Sequence, residues 1–160
     1  MPIVGLNIKS ITAKMTKLDE KKDDKTSVRK INTKITPEVV NVESFDKKLA
    51  DIPNFNTDNI IKIIFKFEIS YELKTDEKKG EKIGEIVFNG DFLYQTNDTK
   101  NVLNRWKKEK KLENNITAEI YDRIFRTFLS NAVGIANYFM LPPPIEFPKF
   151  EFKDSDEYIG

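Results

Sequence analysis

Between Asn59 and Lys74 the chain alternates so strictly that few folds can accommodate it. Ile61, Ile63, Phe65, Phe67, Ile69, Tyr71 and Leu73 take every odd position. Lys62, Lys66, Glu68, Ser70, Glu72 and Lys74 take most of the even ones. A period of two is the side-chain repeat of a β-strand, so the odd set lines one sheet face and the charges line the other. The run far exceeds the usual strand of about 5–6 residues and needs either a large twisted sheet or a bend. Thr75-Asp76-Glu77-Lys78-Lys79-Gly80 reads as a polar turn, after which Ile86, Phe88, Phe92 and Tyr94 alternate with Glu85, Asn89 and Asp91. The two segments therefore predict an antiparallel hairpin. Gly90, inside the second strand, marks a bulge or a close approach by another side chain.

Two further strands are expected upstream. Leu6 to Met15 changes apolar parity after Ile8, the signature of a bulge. Val28 to Phe45 alternates Ile31, Thr33 and Ile35 with lysines, and Pro37 either breaks this strand or confines it to a sheet edge. Leu18 to Ser27 is a charged connector, and Phe45 to Asn59 reads as a long loop. The second half switches to helical spacing. Asn97-Asp98-Thr99 offers capping side chains ahead of Val102, Leu103 and Trp106. From Asn115 or Thr117 a longer helix carries Ile120, Ile124, Phe125, Phe128, Leu129, Ala132, Ile135, Ala136 and Phe139 as one broad apolar stripe. Leu141-Pro142-Pro143-Pro144 is expected to stop it. The expected fold class is α+β: a four-stranded antiparallel sheet with this long helix packed on one face. It forms a single domain over 1–147, followed by an irregular acidic tail over 148–160.

Composition narrows the chemistry. The 160 residues contain neither histidine nor cysteine. Their absence removes the commonest general base, thiol nucleophiles, disulfides and most transition-metal ligand sets. Carboxylates such as Glu119, Asp122 and Glu146 form no spaced pair beside a phosphate loop, a nucleophile elbow or a metal triad, and are expected to be solvated surface. No catalytic residue, metal ligand or cofactor is assigned, and binding is favoured over catalysis. The net charge of +1, from 27 basic and 26 acidic residues, lacks the basic excess that nucleic acid requires. Trp106, beside Lys107, Lys108, Lys110 and Lys111, reads as a solvated helix end. No apolar run approaches the roughly 20 residues that span a bilayer, and no signal-like core follows Met1. The expected compartment is the cytoplasm, without membrane insertion.

The order of these elements resembles the SecB family of cytosolic protein-export chaperones, in a divergent form. Thr36-Pro37-Glu38-Val39-Val40-Asn41-Val42 resembles the opening of the family's second strand. Ile64 to Ile69 through Phe88-Asn89-Gly90-Asp91-Phe92 resembles its central hairpin. Arg126 to Ala132 through Leu141-Pro142-Pro143-Pro144-Ile145-Glu146-Phe147 resembles its main helix and the segment that follows. The family usually continues into a C-terminal helix, whereas here Phe147 to Gly160 contains Pro148 and no helical stripe. The resemblance implies a cofactor-free, ATP-independent holdase for unfolded or pre-export polypeptides, assembled as a homotetramer, a dimer of dimers. It implies that the loop after the second strand helps wall a client groove, and Phe45, Leu49, Ile52, Phe55, Leu103 and Trp106 are the candidate client-binding residues. Ser130, Asn131, Gly134 and Asn137 place small residues on the long helix and are the candidate interface between dimers. An export component is a further implied partner. The alternative is a chaperone dedicated to one partner, such as the antitoxin of a toxin–antitoxin system.

Overall fold

A computed structural model describes residues 3–16, 30–45, 59–75 and 78–144. The expectations for the charged connector, for Leu49, Ile52 and Phe55, and for the acidic tail lie outside these residues. Four strands, β1 (Ile3–Met15), β2 (Lys30–Ser44), β3 (Ile60–Thr75) and β4 (Lys78–Gln95), precede two helices, α1 (Thr99–Glu109) and α2 (Asn114–Tyr138). The strands form one antiparallel sheet in the order β1-β4-β3-β2. This is the expected α+β architecture. Pro37 sits on an edge strand, where its missing N–H costs least. Thr75 and Lys78 face each other, and β4 takes in Lys78 to Gly80, which the sequence assigns to the turn.

The odd residues of β3 form the core. Ile61, Ile63, Phe65, Phe67, Ile69 and Tyr71 are all buried beneath α2, together with Ile86, Phe88 and Phe92 of β4. The α2 stripe meets them along Ile116, Ile120, Ile124, Phe128, Ala132 and Ala136. At the centre the rings of Phe65 and Phe92 stack with centroids 4.7 Å apart, and Phe128 descends onto Phe88 at 4.9 Å and Phe65 at 5.4 Å. Each buried phenylalanine contributes roughly 1.5–3 kcal/mol by leaving water, with a further increment from ring geometry.

Gly90 makes this stack fit. It pairs with Phe65 on one side and Ile8 on the other. A Cβ there would meet the Phe65 ring at 3.0 Å and run into the carbonyl oxygen of Asn7. The close approach foreseen from the sequence is therefore real. Beside it, β1 slips register between Ile8 and Ser10. The slip explains the parity change, since Leu6 and Ile8 pair with Phe92 and Gly90, while Ile11, Ala13 and Met15 pair with Phe88, Ile86 and Gly84. Both sets end on the helix-covered side. A matching slip in β2 between Val39 and Asn41 keeps Val39 opposite Phe65 and Val42 opposite Ile63.

The helix ends differ from expectation. No side chain caps the backbone at Asp98, whose carboxylate instead accepts a bond from the Asn101 amide at 2.7 Å. The prolines are not what stops α2. Met140 adopts a left-handed conformation (φ 54°), its N–H reaches the Asn137 carbonyl, and the Leu141 N–H reaches Ala136 at 2.9 Å. These two bonds form a Schellman turn, and the prolines follow it. Buried Leu141 then lies against Gly84, where a Cβ would meet its Cδ1 at 3.2 Å. Gly90→Ala should destabilise the protein by about 3 kcal/mol, the upper end of overpacking costs, because the neighbours include backbone. Chemical denaturation checks this, and an unchanged midpoint would show that Phe65 does not lean across Gly90.

Candidate functional site

The site is defined by what the fold leaves uncovered. A helix is about 10 Å across and strands are spaced about 4.8 Å apart, so one helix covers roughly two strands. Helix α2 covers β3 and β4. Its first turns are tied to one end of β4 by the Tyr94 hydroxyl, which donates to Glu119 at 3.0 Å, and Leu141 rests on Gly84 near the other end. Helix α1 lies against β2, where the Trp106 indole N–H donates to the Asn41 side-chain oxygen at 3.1 Å. No described helix covers β1.

The uncovered residues of β1 are apolar. Leu6, Ile8, Ile11 and Met15 share the face on which α2 packs, yet they are 39%, 43%, 50% and 46% exposed. They form a strip about 30 Å long on a strand. Tyr138 and Met140, almost fully exposed, extend the apolar surface at the end of α2 that adjoins Gly84, the partner of Met15. Among the described residues nothing pairs with the outer edge of β1. An open edge with apolar side chains is a template for another extended chain, and proteins usually blunt such edges with charge, proline or a covering element. The opposite edge, β2, has Pro37, Lys34, Glu38 and α1 beside it. On β1 the only charged residues are Lys9 and Lys14.

The residues singled out from the sequence are scattered by comparison. Phe45, just past β2, is half-buried, and Leu103 is half-buried against the core. Trp106 corrects two expectations at once. It is 6% exposed and hydrogen-bonded, so it is neither a solvated helix end nor apolar surface that the fold fails to bury. On α2, Ser130, Asn131, Gly134 and Asn137 are all exposed. An added Cβ at Gly134 meets nothing within 4 Å, so close packing on its own sheet does not account for this glycine. The β1 strip was missed because the register slip splits its residues between even and odd positions. The parity change was the available signal.

The two shifted phenols belong to the core beside the site. The Tyr94 phenol is pushed up to about 12, first by burial and then by its bond to Glu119. Burial also raises Tyr71, whose hydroxyl has no hydrogen-bond partner among the described residues. A raised phenol stabilises the fold fully below the ordinary value of 10.0, and that contribution is lost as pH rises through about 12. The protein should therefore lose stability between pH 10 and 12, alongside tyrosinate absorbance. Glu119→Gln should shift the onset of Tyr94 ionisation to lower pH. An onset unmoved by the substitution would show that the helix–strand tie does not form. Among the described residues no group of three acidic side chains could hold a metal ion, and no helix is long and apolar enough to cross a membrane.

No family model matches the chain, and no curated protein matches it. Eight chains of solved structure do. One is the Mycobacterium tuberculosis Rv1957 SecB-like chaperone in complex with a ChAD peptide from the Rv1956 HigA1 antitoxin, with 10% identity and a TM-score of 0.42 over 94% of this chain and 91% of that one.

Proposed function

We propose that the protein is an ATP-independent holdase that binds unfolded polypeptide segments on exposed apolar surface and delays their folding or aggregation. The observation that carries this reading is the coincidence of the apolar strip Leu6, Ile8, Ile11 and Met15 with an open strand edge. An unfolded client presents apolar side chains at alternate positions together with unpaired backbone groups. An edge strand offers the complement of both. Apolar burial at about 25 cal/mol per Å² is indifferent to sequence, which suits a binder of many clients. No nucleotide or metal enters such a cycle. Phe45 and Leu103, with Leu49, Ile52 and Phe55, remain proposed extensions of the client surface.

Weak apolar contacts gain strength when several copies engage one chain. The proposed assembly is a homotetramer built from dimers, with Ser130, Asn131, Gly134 and Asn137 on the exposed side of α2 between them. A chaperone for one cognate partner would use the same surface with a narrower client range, and the choice of clients in the assay separates the two forms.

The test is the double variant Ile8→Ser/Ile11→Ser, assayed for suppression of aggregation of several unrelated unfolded proteins. Half-exposed residues contribute less to the core than buried ones, so thermal unfolding should move by only a few degrees while most protection is lost. Phe65→Ala should behave oppositely, costing about 3–5 kcal/mol of stability. A double variant that unfolds as early as Phe65→Ala would assign the strip to the core. A stable variant that still protects every client would place client binding elsewhere.

A further inference from the structure

The sheet face turned away from α2 contains a depression of about 370 Å³ to which all four strands contribute. Leu93 and Phe45 supply its apolar walls, and Gly5 helps keep it open, since a Cβ there would meet the Leu93 Cδ1 at 3.2 Å. Its charged lining is Glu43, Lys62 and Asp91, a net charge of one negative. Two other carboxylates on this face are matched by one lysine: Lys82 bonds Glu68 at 2.9 Å and also Glu85, and its hydrogen bond holds Glu68 below the usual carboxylate range. Glu43 accepts a bond from the Asn41 amide at 2.9 Å.

Asp91 differs from these carboxylates. It is 4% exposed, and among the described residues its buried Oδ2 accepts no hydrogen bond. The cation paired with it is Lys9 at 3.7 Å, beyond hydrogen-bonding distance, on a side chain that is half in solvent. A buried carboxylate oxygen without a donor is costly, and a nearby charge offsets that cost only in part.

We propose that this depression takes one cationic side chain, arginine or lysine, of a bound polypeptide: its charged head bonds Asp91 Oδ2 and its methylene stem packs on Leu93 and Phe45. The proposal rests on the reading of the protein as a binder of unfolded chains and adds a charge preference to it. Lys9 is the internal competitor. It neutralises Asp91 while the site is empty, and its long, half-exposed side chain yields to a donor with better geometry. Leu6, which begins the apolar strip on the opposite face, also borders the depression at the edge of the sheet. A client lying along β1 therefore places a basic residue here when that residue sits at one end of an apolar segment.

The experiment uses two labelled peptides with the same alternating apolar sequence, ending in arginine or in its neutral isostere citrulline, titrated against the full chain by fluorescence anisotropy. The arginine peptide should bind about tenfold tighter, the scale of one charge-assisted hydrogen bond. Asp91→Asn should erase the difference and leave citrulline-peptide binding intact. Lys9→Gln should widen the difference, an effect that a purely structural ion pair does not produce. Equal binding of both peptides to the unsubstituted protein would overturn the cation site while leaving polypeptide binding standing. If neither peptide binds, the polypeptide-binding reading falls and the site falls with it. If Asp91→Asn does not fold, Lys9→Gln decides, and an unchanged or narrowed preference overturns the proposal.

Discussion

The structure depends on one contact: the Phe65 ring lying across Gly90 to stack on Phe92, with Phe128 of α2 closing over Phe65 and Phe88. Everything else accommodates it. The missing side chain at Gly90 lets β1 approach through the Asn7 carbonyl, and the neighbouring slip in β1 restores Ile11 and Met15 to the helix side. The same contact fixes where α2 lies, over β3 and β4. One helix centred on two strands of a four-strand sheet leaves both edges to other means. On β2 those means are α1, Trp106 and a proline. On β1 they are two lysines.

The proposed function rests on that asymmetry. The strip on β1 results from a core that uses the long helix α2 on the two central strands. A chain with these residues gains by having the strip covered, and the cover must come from outside the described fold. The far face supplies the polar counterpart, because the Asp91 depression opens at the end of β1 where the strip begins. In the proposed reading, apolar attraction along the edge and charge recognition around it would give a surface that tolerates many sequences yet retains one preference.

Much of the fold was legible in the sequence because its signals are local. Strict alternation from Ile61 to Leu73 and a four-residue apolar repeat on α2 each have one geometric meaning, and a glycine inside an apolar strand has only two. The site was less legible because it depends on pairing. By parity alone Leu6 and Ile8 oppose Ile11 and Met15, and only the register with Phe92, Gly90, Phe88 and Gly84 puts them on one face. Trp106 misleads for a related reason: the lysines around it are exposed, but its indole turns toward Asn41, 65 residues earlier. The left-handed Met140 carries no sequence mark, since glycine is the usual residue there and the prolines beyond it suggested a simpler stop.

The central claim is that β1 is an open apolar edge covered by another chain when the protein works. Amide hydrogen exchange tests it most directly, with the full chain measured alone at low concentration and again with an excess of a permanently unfolded polypeptide. The account predicts fast exchange at the outward-facing amides of β1 in the dilute protein and marked slowing when the client is added, with β3 protected in both. Exchange in β1 that is as slow as in β3 from the start, or that stays unchanged on adding client, would contradict it.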